Sequence, residues 1–364
     1  MTTILTAMSG GVDSSVAAWK ILQDGCECQG ATMKLFVPED IGYTGFTPAA
    51  VADAQKVCQQ LGIKHHTIEL IEEFRQLVLE RFIKTYLEGK TPNPCVFCNK
   101  TIKFGHLLQQ AKQLNCEALA TGHYARIEKD TATGRFLLRR AAYPEKDQSY
   151  VLYSLSQEQL SQVRFPLGNQ TKSETRRLAE QVGLAVAHKA ESQDLCFVPT
   201  GKYTELIEHY LQHNTQKTAD TVSAAGIIPG DFVDTAGNVL GRHKGLVRYT
   251  IGQRKGLGIA AKAPYYVCSH NVADNQIVLG SEKDLETKSL TAHHINFIAF
   301  ERLDVPLRCK VKVRYRQAEG EALVEQTGID SFRADFVEPQ TAIARGQSAV
   351  LYDGDYILGG GIID

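Results

Sequence analysis

No apolar run in this 364-residue chain approaches the length of a membrane span, so an integral helical membrane protein is not expected. Charge of neither sign is in excess. With 40 Lys and Arg against 41 Asp and Glu, the net charge is −1, and any nucleic-acid partner must be held by local basic patches. Internal repeats and low-complexity segments are missing. Strand-like sequence begins at Thr3, so a cleaved leader is not expected. The nine cysteines, an odd number, are scattered through an ordinary globular composition. That argues against a secreted disulfide framework and for a reducing cytoplasm. A second C-x-x-C beside Cys95–Cys98 is also lacking, so the chain cannot assemble a four-cysteine zinc site of the usual spacing. Finally, the phosphate-loop pattern G-x-x-x-x-G-K-[ST] does not occur, and no lysine precedes Lys20.

What stands in its place is Ser9-Gly10-Gly11-Val12-Asp13-Ser14-Ser15. The apolar run Thr3–Met8 before it reads as a strand, and Val16–Leu22 after it as a helix. Two glycines at a strand-to-helix turn let backbone N–H groups approach an anion, and the helix N-terminus adds partial positive charge. Asp13 would repel a phosphate unless a divalent cation lay between them. A carboxylate in an anion nest therefore implies Mg²⁺ bridged through a pyrophosphate group. The alternative is a plain βα turn capped by Ser14 or Ser15.

The first half alternates strand and helix. Strands are expected at Gln29–Val37, Lys64–Leu70 and Glu117–Ala120. Helices are expected from Thr47-Pro48 to Gly62, over the segment carrying Phe74, Leu77, Val78, Phe82 and Tyr86, over Lys100–Leu114 and over Ser173–Val182. Ala125–Ala141 breaks the pattern as a hairpin. Past Gly201, one amphipathic helix at Tyr203–Leu211 leads into glycine-punctuated β sequence, with a hairpin signal at Asp353-Gly354. The expected fold is α/β: an N-terminal doubly wound parallel sheet over residues 1–202, a small β-rich central domain over 203–283 and a C-terminal β-barrel over 284–364.

Two further patterns carry chemistry. Thr91-Pro92-Asn93-Pro94-Cys95-Val96-Phe97-Cys98-Asn99-Lys100 places Cys98 near a helix start with Lys100 and Lys103 close by, features that favour a thiolate. Cys196 follows the last helix of the α/β part. Cations form the second pattern. Arg308, Lys310, Lys312, Arg314 and Arg316 alternate with other residues, which at a strand's period puts five charges on one face. Between Gly241 and Ala273 there is no acid, while Arg242, Lys244, Arg248, Arg254, Lys255 and Lys262 are basic. Such tracts in a near-neutral chain suggest a surface that follows phosphates.

The loop at Ser9–Ser15 resembles the SGGxDS loop of the ATP pyrophosphatase superfamily, which splits ATP into AMP and pyrophosphate to adenylate an oxygen. Taken in order, that loop, Thr91–Pro94 with Cys98–Lys100, Thr121–Arg126, Lys146–Tyr150, Tyr249–Gly258 and Gly346–Tyr352 resemble the bacterial tRNA-specific 2-thiouridylase family from end to end. The resemblance implies adenylation of the C2 oxygen of the wobble uridine in tRNAs for glutamate, glutamine and lysine, with ATP and Mg²⁺. Cys196 matches the family's persulfide cysteine, loaded by a sulfur-donor protein (a cysteine desulfurase or a relay). Cys98 matches the nucleophile, which either attacks C2 or releases sulfide by forming a disulfide with Cys196. It also implies that Ala7, Met8, Ser9, Gly10, Gly11, Val12, Asp13, Ser14, Met33 and Gly122 hold ATP, with Asp13 reaching Mg²⁺ through pyrophosphate. Asn93, Pro94 and Cys95 would contact the target base; His123, Lys146, Asp147, Gln148, Arg314, Tyr315 and Gln347 would contact tRNA.

Cys95 departs from the family pattern, since many members carry an aspartate there as a candidate general acid/base. Three cysteines, Cys95, Cys98 and Cys196, could then surround one site and ligate a [4Fe–4S] cluster with one open iron, or Cys95 could serve packing or redox. Two other readings compete: an amide-forming synthetase of the same superfamily, which leaves the thiols without a task, and a non-catalytic RNA-binding protein that senses nucleotide.

Overall fold

The computed structural model describes residues 2–37, 41–42, 47–190, 195–198, 201–214 and 226–364, so Ser192, Gln193 and Asp194 of the Cys196 motif lie outside it. The chain opens with β1 (Thr3–Ala7), α1 (Val12–Gln23), β2 (Glu27–Lys34), α2 (Thr47–Leu61) and β3 (Lys64–Glu69). Helix α3 (residues 71–87) and helix α4 (residues 94–113) follow, then β4 (Ala118–Ala120), the hairpin β5 (Ala125–Lys129) and β6 (Phe136–Arg140), α5 (Gln157–Ser161), β7 (Val163–Arg164) and α6 (Lys172–Gln181). Strands β3-β2-β1-β4-β7 form one sheet in which every pairing is parallel. Its central strand β1 is buried on both faces, as a strand covered by helices must be. Strand order reverses at β1, between β2 and β4, and such a switch point opens a crevice at the carboxyl ends of the strands.

Two helices differ from expectation for one reason. Each carries a π-helical stretch, Arg75–Leu79 in α3 and Cys98–His106 in α4. Hydrogen bonds from residue i to i+5 shift the phase of a helix face. Leu77, expected on the buried stripe, is 37% exposed. Helix α4 also begins earlier than Lys100, at Pro94, where a proline's fixed φ suits the first helical position. Strand β7 was not foreseen, because two residues are too few to show periodicity.

Beyond α7 (Tyr203–His213), strands β8 (Gly230–Asp234), β9 (Val239–His243), β10 (Tyr266–Asn271) and β11 (Gln276–Gly280) make a four-stranded sheet around Phe232, Leu246, Val267 and Ile277. Strands β12 (Glu286–Phe297), β13 (Leu307–Lys312), β14 (Gly320–Gly328), β15 (Ser331–Thr341), β16 (Ser348–Asp353) and β17 (Tyr356–Ile363) run in the order β12-β15-β14-β13-β16-β17, and β17 pairs back onto β12. The result is a closed six-stranded barrel, filled by Val311, Val324, Phe332 and Leu351. Its edge is extended by the α/β part: β6 pairs with β17 through Arg139 opposite Tyr356 and Leu138 opposite Ile357. The hairpin expected at Ala125–Ala141 is thus a joint between two sheets.

The barrel also corrects the cation stripe. Strand β13 ends at Lys312, and Arg314 begins a turn in which Gln317 N donates to Arg314 O. Only Arg308, Lys310 and Lys312 share the strand, and Glu321 of β14 faces Lys310. A five-cation face does not form.

Candidate active site

The nucleotide loop lies in the crevice at the switch point. Gly10 has φ +68°, and a Cβ there would fall 2.4 Å from the Ala50 carbonyl oxygen, so no other residue fits. Ser14 Oγ donates to Gly11 O (3.1 Å) and accepts from Ser9 N (3.2 Å), while Ser15 Oγ donates to Gly11 O (2.8 Å). These bonds hold the loop open at the start of α1, with Asp13 in the first turn. From the other side, a Cβ on Gly122 would sit 2.8 Å from Ser14 N, so the turn after β4 packs directly on the loop. Met33 lies toward the carboxyl end of β2, beyond Ala31, which pairs with Ala7. Ala7, Met8, Ser9 to Ser14, Met33 and Gly122 therefore converge.

Sequence reasoning missed the cations of this loop. Lys172, the first residue of α6, places Nζ 2.6 Å from Asp13 Oδ1, and the Tyr124 hydroxyl donates to the same oxygen at 2.9 Å. Lys189 donates to Gly10 O (2.8 Å) and to Asp53 Oδ2 (2.7 Å). A lysine absent from the loop's own sequence is thus supplied from about 160 residues away in the chain. A carboxylate and an ammonium side by side in a glycine cradle fit a magnesium-bound phosphate chain: the acid suits the metal, the amine the phosphate. The only sequence signal was Thr171-Lys172-Ser173-Glu174, a capping box that fixes the lysine at a helix start.

Three thiols gather near the start of α4. Cys95 and Cys196 are exposed and Cys98 is buried. Burial pushes the Cys98 thiol up to about 11, with Lys103 lowering it and Cys95 raising it. Desolvation by surrounding protein also pushes Cys196 up to about 12, with Cys98 and then Cys95 adding to the rise, although the residue itself stays open to solvent. The three thus lie within electrostatic range of one another. The expected thiolate at Cys98 is overturned: removal from water outweighs the helix start and Lys103. The π-helical stretch helps Lys103 reach it, because i to i+5 bonding widens the turn and brings residue 103 nearer the face of residue 98, whereas an α-helix would put it about 140° away. Gln159 supports the stretch by donating to Lys100 O (2.9 Å) and Phe104 O (2.8 Å). Alkylation of Cys98 is expected to accelerate about tenfold per pH unit through about pH 10. A plateau near pH 8.5 in peptide mapping by mass spectrometry would contradict the buried thiol.

Cys196 sits on a short turn staked down by Phe197, whose ring packs edge-on to Phe74 (5.4 Å) and Phe82 (5.2 Å). Among the described residues, no group of three or more His, Cys, Asp and Glu is arranged to hold a metal ion. The three thiols as placed do not fit an iron–sulfur cluster.

The remaining site residues are tied into joints. Gln347 donates to Thr91 O (3.1 Å) and Pro92 O (3.0 Å), and Thr91 N donates to Arg345 O (2.8 Å), fastening the loop of Asn93, Pro94 and Cys95 to the barrel. Tyr315 donates to Asp147 O (3.0 Å), and Arg314 to Ile251 O (2.8 Å). Asp147 accepts from Ala141 N, Ser149 N and Ser149 Oγ, while Gln148 Oε1 accepts from Tyr124 N. Lys146 ends the short turn before them. His123 is wedged between Phe104 (5.8 Å) and Phe165 (5.9 Å), with Thr121 Oγ1 at 2.7 Å from Nδ1. Burial, aided by Lys103, holds its pKa well below the usual imidazole range, so it is neutral.

A glycine-and-aspartate phosphate cradle at the switch point of a parallel sheet, with a group of thiols in the same α/β part and β domains beside it, defines an ATP-using α/β enzyme that handles sulfur. The chain matches a family model described as "tRNA methyl transferase HUP domain" over residues 2–200, a "tRNA methyl transferase PRC-barrel domain" over 222–281 and an "Aminomethyltransferase beta-barrel domain" over 287–363. The tRNA-specific 2-thiouridylase MnmA of Clostridioides difficile is 44% identical over 99% of this chain and 98% of its own length. The proteins of that name from Caldanaerobacter subterraneus and Treponema denticola are each 43% identical, over 99% of this chain and 97% of theirs. The chain belongs to the tRNA-specific 2-thiouridylase family. No described helix is long and apolar enough to cross a membrane.

Proposed function

We propose that this enzyme is a tRNA-uridine 2-sulfurtransferase, acting on the wobble uridine of tRNAs for glutamate, glutamine and lysine in a reducing cytoplasm. The observation that carries the reading is the placement of Cys98 and Cys196 as electrostatic neighbours on the protein that also holds the Asp13 cradle. The descriptions of the family models name methyl transfer; the full-length relatives name thiolation, and a thiol pair supports the latter. All nine cysteines are free, as a reducing compartment requires. We divide the work among residues 1–202 for catalysis and 203–283 and 284–364 for holding tRNA.

In this reading ATP lies along Ser9–Ser14, with Met33 and Gly122 at the nucleotide; Asp13 would hold Mg²⁺, which would supply positive charge to the leaving pyrophosphate. Lys172, now paired with Asp13, would turn its ammonium to the phosphates of bound nucleotide. The uridine C2 oxygen attacks the α-phosphorus, the bond to pyrophosphate breaks, and C2 acquires AMP as its leaving group. Cys196 enters as a persulfide charged by a donor protein. The Cys98 thiolate attacks Cys196 Sγ, forming the Cys98–Cys196 disulfide and expelling hydrosulfide; an external thiol later returns two electrons. Hydrosulfide adds at C2 and AMP departs with the C2–O bond electrons. Lys103 stabilises each sulfur anion in turn, which the raised Cys98 pKa makes necessary. Asn93, Pro94 and Cys95 border the base. His123, Lys146, Asp147, Gln148, Arg314, Tyr315 and Gln347 position the loops that receive the anticodon, and an unstacked loop uridine is cheap to evert.

Nucleoside mass spectrometry after incubation of the protein with tRNA, ATP, Mg²⁺ and sulfide tests this. The expected result is 2-thiouridine with one AMP and one pyrophosphate per nucleoside. Pyrophosphate release without tRNA would favour the amide-forming synthetase, and no release at all the nucleotide-sensing binder.

A further inference from the structure

Once β13 is seen to end at Lys312, the acid-free tract from Gly241 to Ala273 is the remaining concentration of cations, and the structure sorts them. Arg242 pairs with Asp231 at 3.1 Å and Arg248 pairs with Glu208. Among the described residues, Arg254, Lys255 and Lys262 have no carboxylate partner, and all three are exposed. They belong to the loop between the 3₁₀ turn at Leu246–Arg248 and β10. The root of that loop is stiff. Gly252 N donates to Val267 O (2.8 Å), and the Gln253 side chain accepts from Thr250 N (3.0 Å) and donates to Lys255 O (3.0 Å). Leu257, 8% exposed, pins the middle of the loop into the core with Phe232 and Tyr249.

On either side of Leu257 stand Gly256 (φ +79°) and Gly258 (φ +70°). A Cβ on Gly258 would touch nothing within 4 Å, so it is the left-handed backbone, not crowding, that calls for glycine. The bare backbone borders a concavity of about 400 Å³, lined among others by Arg254, Gly256, Gly258, Lys262 and Tyr265. That volume is in the range of small-ligand sites, roughly 300–1,000 Å³. Two unpaired cations, exposed peptide groups and one aromatic ring, with no acid in the tract, form an anion site that also has a face for a sugar or base.

We propose that this cavity binds a ribose-phosphate unit of the tRNA backbone, clamped by Arg254 and Lys262 against Tyr265. The inference rests on the thiolation reading and deepens it, adding a handhold for the RNA apart from the thiol crevice. Phosphate contacts position an RNA without reading its sequence, so the clamp acts alike on all three tRNAs. Its signature is salt dependence, because each neutralised phosphate releases bound counterions.

The test measures tRNA binding between about 50 and 200 mM salt for the parent protein and Arg254→Gln/Lys262→Gln. The slope of log affinity against log salt is expected to fall by about 1.5 in magnitude, and affinity to drop about 10–100-fold at 150 mM. The tRNA KM should rise with it, while kcat and ATP binding stay unchanged. The conservative pair Arg254→Lys/Lys262→Arg should restore slope and affinity, which a merely structural role would not predict. An unchanged slope in the Gln pair overturns the clamp. Saturable binding of inorganic pyrophosphate at the loop, with the RNA slope unmoved, also overturns it in favour of a free-anion site. Normal slopes with no 2-thiouridine from either protein would instead defeat the thiolation reading.

Discussion

Cys196→Ser is expected to remove 2-thiouridine formation by more than about 10³-fold while ATP binding stays within twofold, and Cys98→Ser to do the same. The serine hydroxyl cannot carry a persulfide, and at Cys98 it cannot break the persulfide bond. The two losses should not add, because in the proposed mechanism both residues serve one bond exchange. A further readout separates chemistry from packing. Cys98 is buried in the main core, so Cys98→Ser places a hydroxyl in an apolar site and lowers stability; Cys196 is exposed, so Cys196→Ser should melt like the parent. tRNA-dependent pyrophosphate release should survive in Cys196→Ser, since adenylation precedes sulfur transfer. Thiolation retained by Cys196→Ser would remove that residue from the mechanism.

The second large effect is at the cradle. Asp13→Asn is expected to reduce pyrophosphate release by about 10²–10³-fold, because an amide keeps the shape but does not hold Mg²⁺ against the phosphates. Lys172→Met should raise the ATP KM about tenfold, at about 1.4 kcal/mol. Their double variant should fall short of the product of the two, since Lys172 and Asp13 make one ion pair at 2.6 Å before nucleotide enters. Tyr124, which also donates to Asp13, keeps the loop ordered in Lys172→Met, so the fold should be intact. Full additivity, measured by ATP binding with and without Mg²⁺, would show that the two groups do not exchange roles.

Much of the nucleotide site was legible in sequence because its parts are local. Gly10, Gly11, Asp13 and the serines sit within one strand-to-helix turn, and a Gly at φ +68° just before a helix start is written in adjacent residues. The hairpin at Ala125–Ala141 and the turn at Gly354 were legible for the same reason. Glycine-punctuated β sequence and the Asp353-Gly354 hairpin also made a barrel the expectation. The thiol site was only half legible. Spacing showed Cys98 near a helix start, but not that this helix is π-helical there, nor that the thiol is buried.

The sequence on its own determined the sheet-and-helix alternation, the phosphate loop and which thiols to suspect, since each depends on neighbours within a turn or two. Tertiary structure alone decided that Lys172 faces Asp13, that Cys196 comes within electrostatic range of Cys98, that Gln347 holds Thr91, and that β6 joins the barrel through β17. Those pairings join residues far apart in the chain, and no local periodicity encodes them. Protonation of the thiols belongs to the second group as well: it turns on how much protein displaces water around Cys98, a quantity that exists only once the chain has packed.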